Sequence, residues 1–599
     1  MRILATSFKL VLALAAVIAA APAGAEVLDA RIAAVRTGAG SLEQVVLHLD
    51  WPRDAAFGAL RLRAAKVDFP ALSWVGRDAD WQCKLVPAPA GRWRCDGPIR
   101  TRGGGSQQLA LDFSPDAFGA ELVAGRSRIA YGRAAGSGDR NRVRLQKVPV
   151  AWLKDFLAGL WAKGSWNAGS MDGTIDVEAS ANGPLRVRTD LALIGLALET
   201  PDGSLAASGL DGRLQLDYLR QARRESVEVN FGATGGELLF DRFYAKLPAT
   251  KVQAQVLAQR EGAGPWRLPQ LQWHDPGALD LEGEGALAAD GTPVELQLRL
   301  GLPNLALARD RYLSGFLAPA GFPDLVLTGS AGGILRISGG KAASFDARLD
   351  GVNVVDPKAR FTLAGLSGGL RWNAGADLQA SAMRWSNGAL FGIGLGPAQF
   401  AFSSSGGELR LAQAASIPAL EGRLSLDQLG WQPPQGEQGA RFQFGLSVDK
   451  LDLASLSQRL GWPPFTGTIS GRIPSARFHD DLLEIDGGLQ MSLFGGSVSL
   501  ANLSMERPFG TAPTLSGNVL IEDVDLEQIT KVTGFGTITG RLDGNIRDLR
   551  LVDWAPVAFD ARLQTDREWK GKRRISQRAV RDISEVGGSG IAGGLQAQA

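Results

Sequence analysis

The stretch Val294-Glu295-Leu296-Gln297-Leu298-Arg299-Leu300 sets apolar and polar side chains in strict alternation. Successive side chains of a strand point to opposite faces, so a period of two predicts a strand with one buried and one wet face. A helix would need its apolar residues three and four apart. Asp290-Gly291, just ahead of the stretch, reads as a two-residue hairpin turn. The same alternation recurs along the chain. Leu214 and Leu216 alternate with Arg213 and Gln215, Met491 and Leu493 continue in phase from Leu489, and Val519 and Ile521 follow Leu515 and Gly517 two apart. The pattern predicts a mostly β protein, antiparallel, with turns about every dozen residues.

A second kind of unit comes round four times: a short apolar helix, a Gly with an aromatic, then Gly-x-x-x-Gly opening a strand. The glycine pairs are Gly169/Gly173, Gly329/Gly333, Gly467/Gly471 and Gly536/Gly540, preceded by Gly164 with Trp166, Gly321-Phe322, Gly461-Trp462 and Gly534-Phe535. Successive second glycines lie 160, 138 and 69 residues apart. Recurrence of this kind marks an architecture in which each unit buries its apolar face mainly on its neighbours. In the first copy Trp152, Leu153, Phe156, Leu157, Leu160 and Trp161 make one helical stripe, and Tyr312, Leu313, Phe316 and Leu317 repeat half of it. The later copies begin Asp452-Leu453 and Asp525-Leu526, with Leu456 and Ile529 three residues on; each Asp suits an N-cap, and Gly461 and Gly534 suit left-handed C-terminal caps. Two roles fit these helices, a cap or plug on the sheet and an ordinary crossover. Gly209-Leu210-Asp211-Gly212-Arg213-Leu214 and Gly365-Leu366-Ser367-Gly368-Gly369-Leu370, 156 residues apart, support a long repeat. The expected domains are a signal segment over 1–25, an N-terminal β domain over 26–146, repeat units over 147–302 and 303–448, and C-terminal repeats over 449–599.

Arg2 and Lys9, the apolar run Leu10 to Ala21 and the small residues Ala23-Gly24-Ala25 read as a cleavable secretory signal, with an uncleaved anchor as the alternative. Export makes a disulfide between the only two cysteines, Cys83 and Cys95, the expected state, with Pro87, Pro89 and Gly91 suiting the reversal between them. A net charge of +2 argues against nucleic acid, which is bound chiefly through its phosphates. Near the end Arg567, Lys570, Lys572, Arg573 and Arg574 precede Ile575, Ala579, Ile583 and Val586 at helical spacing. This reads first as a solvated turn before a packing helix and second as a segment for anionic head groups.

Catalytic signals are sparse. His48, His274 and His479 are scattered, and neither a phosphate loop nor a metal-spaced Cys/His cluster occurs. Gly365-Leu366-Ser367-Gly368-Gly369 matches the nucleophile elbow, but that motif needs a strand-to-helix turn, whereas Leu370 and Trp372 continue in strand period. No catalytic residue, metal or cofactor is therefore expected. Two arrangements satisfy the alternation. Roughly 40 strands at ~4.8 Å each would make one curved sheet on the order of 200 Å long, whose apolar face would be a track for something greasy; or the strands pair into sandwiches and the same residues are core. The candidate lining residues are Leu214, Leu216, Val294, Leu296, Leu298, Leu300, Leu489, Met491 and Leu493.

The last third adds a resemblance. Leu493-Phe494-Gly495-Gly496-Ser497-Val498, Asp525-Leu526-Glu527-Gln528-Ile529-Thr530 and Thr537-Ile538-Thr539-Gly540-Arg541-Leu542-Asp543-Gly544 resemble, in that order, the YdbH family of AsmA-like envelope proteins, grouped with TamB and YhdP. Leu551-Val552-Asp553-Trp554, Pro556-Val557-Ala558-Phe559-Asp560-Ala561 and Ile575-Ser576-Gln577-Arg578-Ala579-Val580 extend it over about 110 residues. The resemblance implies a long repetitive β-groove in the periplasm of a Gram-negative cell, moving phospholipids between inner and outer membranes. Relatives commonly keep an N-terminal anchor, whereas this N-terminus reads as cleavable. Two other classes fit the residues: a scaffold that pairs its edge strands with outer-membrane β-barrel proteins, and a modular β-sandwich that binds envelope polysaccharide.

Overall fold

Alternation of this kind stabilises a strand only when neighbours share its phase, and the pairing supplies that. In the computed structural model 71% of the described residues are strand, with 35 strands assigned to one antiparallel sheet and few short helices. The structure describes residues 27–582 apart from 37–40, 70–73, 90, 115–116, 134–139, 154–163, 180–182, 242, 434–440, 480, 509 and 511. The expected signal segment, Phe156, Leu157, Leu160 and Trp161 of the first predicted helix, and Ile583 and Val586 lie outside the described residues. The chain divides into two compact units, Met1–Leu296 with Asp310–Gly315, and Gln297–Arg309 with Phe316–Ala599.

The first unit opens with a closed core. Leu47, Leu49, Leu60, Trp81, Leu85 and Phe113 are buried there with both cysteines. Cys83 and Cys95 form the expected disulfide between the adjacent strands Trp74–Ala88 and Arg92–Arg100. Trp81 reaches past its neighbouring strand to donate Nε1–H to the carbonyl of Leu109 at 3.2 Å, so the sheet is tightly curled at this end. From Gln107–Phe113 onward, antiparallel strands pair in succession through Arg140–Pro149, Ser165–Ala179, Leu185–Glu199, Leu205–Gln221 and Arg224–Phe240 to Leu279–Leu287.

A bulge device recurs where these strands bend. Lys147, Gly195, Gly351, Lys450 and Asp523 have φ between 47° and 58°, which turns each N–H out of the ladder. A side chain on the following strand accepts it: Asp172 Oδ1 at 2.9 Å, Asp211 Oδ1 at 2.7 Å, Ser367 Oγ at 3.0 Å, Ser470 Oγ at 3.0 Å and Asp543 Oδ1 at 2.9 Å. A glycine follows every one of these acceptors. At Gly173 an added Cβ would lie 2.0 Å from the Asp190 carbonyl, and at Gly471 2.5 Å from that of Gly488. The acceptor reaches back to one neighbour while the glycine admits the other. Two of the four predicted second glycines, Gly173 and Gly471, are thus explained; in the last copy the part falls to Gly544, four residues beyond Gly540. Ser367 sits mid-strand in Phe361–Asn373 as one of these acceptors, not on a strand-to-helix turn.

The Gly-aromatic pairs close helices. Gly321, Gly461 and Gly534 are left-handed, with φ of 86°, 67° and 70°. The next residue's N–H then returns five positions: Phe322 to Leu317, Trp462 to Ser457 and Phe535 to Thr530, at 2.9, 2.9 and 3.1 Å. This 6→1 bond satisfies carbonyls that the helix end leaves free. At the other end Asp452 accepts from the Ser455 N–H and Asp525 from those of Glu527 and Gln528, as N-caps.

Three expectations change. Asp290-Gly291 belongs to a three-residue loop closed by the Ala288 N–H on the Thr292 carbonyl, because the Asp290 carboxylate takes the Thr292 N–H. The Tyr312 segment is not one helical stripe: Leu305–Ala308 and Ser314–Leu317 flank a π-turn at Arg309–Leu313, which buries Tyr312 and leaves Phe316 49% exposed. Ile575 pairs with Ile538 in a two-stranded ribbon rather than starting a helix. Ser576 Oγ there accepts the Thr537 N–H, and an added Cβ on Gly536 would lie 2.6 Å from the Ala579 nitrogen. The basic segment is therefore docked on the fourth repeat.

Replacing Asp211 by Ala leaves the Gly195 N–H without its acceptor and should destabilise by about 1–3 kcal/mol, whereas Asp211→Ser should recover most of that. Amide exchange at Gly195 checks it: fast exchange is expected in the Ala variant and near-native protection in the Ser variant.

Candidate functional site

Register aligns the alternating residues into rows that cross many strands. In the first unit one row runs Leu109, Leu122, Ile129, Leu145, Gly173, Leu191, Leu214, Phe231, Ala254, Trp273, Leu281. The next runs Val143, Ile175, Thr189, Leu216, Val229, Val256, Leu271. On the opposite face the row Thr174, Asp190, Gln215, Asn230, Gln255, Gln272, Glu282 holds no apolar residue. Arg213 bonds Asp190 there at 2.6 Å and Arg186 bonds Asp217 at 2.9 Å. These hydrogen bonds hold both carboxyls below the usual carboxylate range. The sheet thus has a charged face for water and an apolar face.

That apolar face is not closed as a core. Leu145 and Leu191 are buried, but Leu214, Leu216, Val229, Phe231, Val256, Leu271, Trp273 and Leu281 are only half-buried. In the second unit the row Ile417, Leu424, Val448, Gly471, Leu489, Leu500, Val519, Ile546 has the same character from Leu489 onward. Toward the other end of these strands runs Trp431, Phe442, Phe478, Leu483, Met505, Leu515, Leu551. Half-exposed apolar rows of this extent form a surface that a greasy ligand would shield from water.

Leu214 and Leu216 stand in adjacent rows of the first unit. Val294 and Leu296 also belong to that unit, with Val294 43% exposed, while Leu298 and Leu300 of the same strand, Pro293–Leu302, fall in the second. Leu489, Met491 and Leu493 lie on strand Leu482–Leu493 and pack against a cluster of Ala419, Val448, Leu451, Leu453 and Ile469. Leu453 and Leu456 come from helix Leu453–Leu460, so this helix folds onto the apolar face at its edge and gives it a floor. Phe231, Trp273, Phe442 and Phe478 were not singled out in the sequence, although each sits in its own period-two run. Among the described residues no group of three or more His, Cys, Asp or Glu side chains is placed to hold a metal, and no helix is long and apolar enough to cross a membrane.

Polar latches hold helical connections in each unit. In the first unit the fully buried Asp275 accepts from Arg311 at 2.6 Å and from the Tyr312 hydroxyl at 2.7 Å, and Tyr312 accepts from Trp273 Nε1–H at 3.0 Å. Burial first, then the hydrogen bond that its hydroxyl donates to Asp275, pushes the Tyr312 phenol above its usual range. In the second unit Arg360 grips Asp356 at 2.6 and 3.1 Å, donates to the Gly321 carbonyl and lies 4.7 Å above the Phe322 ring. The bond from Arg360 holds the Asp356 carboxyl below the usual carboxylate range.

A depressed folded-state pKa stabilises above the unfolded value of about 3.9, and that contribution disappears as pH falls through the folded value. Arg360→Ala should cost on the order of 3 kcal/mol near neutral pH, because it strands a buried carboxylate. The deficit should shrink below about pH 4, and thermal unfolding of both proteins across pH 3–7 checks the convergence. The chain matches no known family model and no curated protein.

Proposed function

We propose that this protein carries phospholipids in the cell envelope, with acyl chains lying along the apolar rows and head groups in water at the open side. One observation carries the reading: row after row of Leu, Val, Phe and Trp side chains stays half-exposed on one face while the other face is charged. A folded chain that leaves so much apolar surface open forgoes about 25 cal/mol for each Å² not buried, and bound acyl chains would recover it. Guidance of this kind needs no reacting group. The resemblance of the last repeats to the YdbH family supports the same cargo and suggests transit between inner and outer membranes. The disulfide fits an exported protein.

Full-length protein purified from cells should carry phospholipid detectable by mass spectrometry of an organic extract. Leu216→Asp, or Leu298→Asp, places a charge in the acyl path and should lower the bound lipid several-fold with the disulfide and the thermal transition retained. Equal lipid in wild type and both variants would falsify the reading.

A further inference from the structure

The apolar face of the second unit is not evenly open. Between strands Phe361–Asn373 and Gly422–Gln432 the ladder breaks into short pieces, Gln379–Trp385, Asn387–Leu390, Ile393–Leu395, Ala398–Ser405, Glu408–Leu411 and Ala415–Ala419. They form two ribbons. One joins Phe361–Asn373 to Gln379–Trp385, Ala398–Ser405, Glu408–Leu411 and Gly422–Gln432 in turn. The other runs through Asn387–Leu390, Ile393–Leu395 and Ala415–Ala419. Side chains between them are buried as in a true core: Ala398, Phe400, Ala415 and Ile417.

Here the sheet curls onto itself. Phe345 stacks on its cross-strand neighbour Trp372 at 5.7 Å between ring centroids, and its ring also meets Trp431 at 6.3 Å. Phe345 and Trp431 are five strand steps apart along the first ribbon, about 24 Å at the usual spacing. Only a curl through most of a circle brings them together. Hydrogen bonds that skip strands lock it: Trp372 Nε1–H donates to the Gly407 carbonyl at 2.9 Å, the Asn373 N–H to Ser404 Oγ at 3.0 Å, and the Gly407 N–H to the Asn373 carbonyl at 2.9 Å. Ser404 and Trp372 are 1% and 4% exposed. The rows beyond, from Phe442 and Phe478 through Leu483 to Leu515, are half-open again except at Met505.

We infer that Phe345, Trp372 and Trp431 form an aromatic collar that a passing acyl chain must part, and that Phe345 is the residue that sets which chains pass. The inference rests on the lipid-carrying reading. Rings in van der Waals contact leave no room for a methylene chain, so passage requires a side-chain rotation. Trp372 is held by its bond to Gly407, while Phe345 has no polar tether and is the ring free to swing. A straight chain needs a smaller swing than a methyl-branched one, so the collar discriminates by chain width.

The test uses the full chain, vesicles of phosphatidylethanolamine and phosphatidylglycerol, and radiolabelled phosphatidylglycerol with either straight dipalmitoyl or branched diphytanoyl chains. A photoreactive residue at Leu298 or at Leu489 reports loading on either side of the collar, and transfer to acceptor vesicles reports passage. The wild type should load at both positions and favour straight chains in transfer. Phe345→Ala should raise transfer at least threefold and remove most of the preference. Phe345→Leu, which keeps apolar volume but loses the ring contact, should move the same way and guards against a folding defect in the Ala variant. Loading with transfer and chain preference unchanged in both Phe345 variants overturns the collar and leaves lipid carriage standing. Absence of loading at both positions in the wild type overturns lipid carriage, and the collar with it.

Discussion

A ladder slipped by one residue would exchange Leu214 with Gln215 and Phe231 with Asn230, turning an apolar face into a mixed one. Register is the constraint on which the rest of the structure depends. It has to be transmitted from strand to strand through bends, and every bend inserts a residue that shifts the pairing. The shifts occur at set places, such as Leu193/Leu196, Leu349/Val352, Val448/Leu451 and Ile521/Val524. At these sites a left-handed residue leaves the ladder and an Asp or Ser on the next strand takes up its N–H. Because the orphaned donor has one well-placed acceptor, the bend stays in one place and both faces keep their identity beyond it.

The same economy of local devices explains the helices. A left-handed Gly ends each described copy, and the aromatic after it closes the last turn through its N–H; Phe322 also packs its ring against Phe361 at 5.5 Å. Helices this short are not stable alone. Their stability comes from laying Leu453 and Leu456, or Tyr312, on the sheet edge, and from buried ion pairs such as Arg311 with Asp275. The helical connections therefore close the edge of the apolar face instead of adding a separate layer.

Burial then varies along the sheet in a way that bears on function. It is complete around the disulfide, partial along the long strands from Ser165 to Leu287, complete again at Ala398, Phe400, Ala415 and Ile417 among the short strands, and partial afterwards. An even sandwich core would show no such change. Closed segments hold the architecture, and half-open ones present the surface on which the lipid reading stands.

Strand character, antiparallel pairing, the disulfide and the capping residues were legible in the chain because each depends on residues near one another in sequence. Alternation in Val294 to Leu300, Asp452 before an apolar turn and Gly461 after it are local signals with local causes. The repeated Asp211-Gly212 and Ser367-Gly368 were visible as a pattern, yet their meaning was not, since the donor each one serves lies on another strand. The π-turn at Tyr312 escaped the periodicity because a buried carboxylate, Asp275, decides it from 37 residues away. The collar is the extreme case. Phe345, Trp372 and Trp431 are unremarkable strand aromatics in sequence, and they meet only because the sheet curls, which is a sum of small backbone twists over many strands. Which residues face inward follows from a period of two; which of them are covered depends on how far the sheet bends, and only the assembled structure decides that.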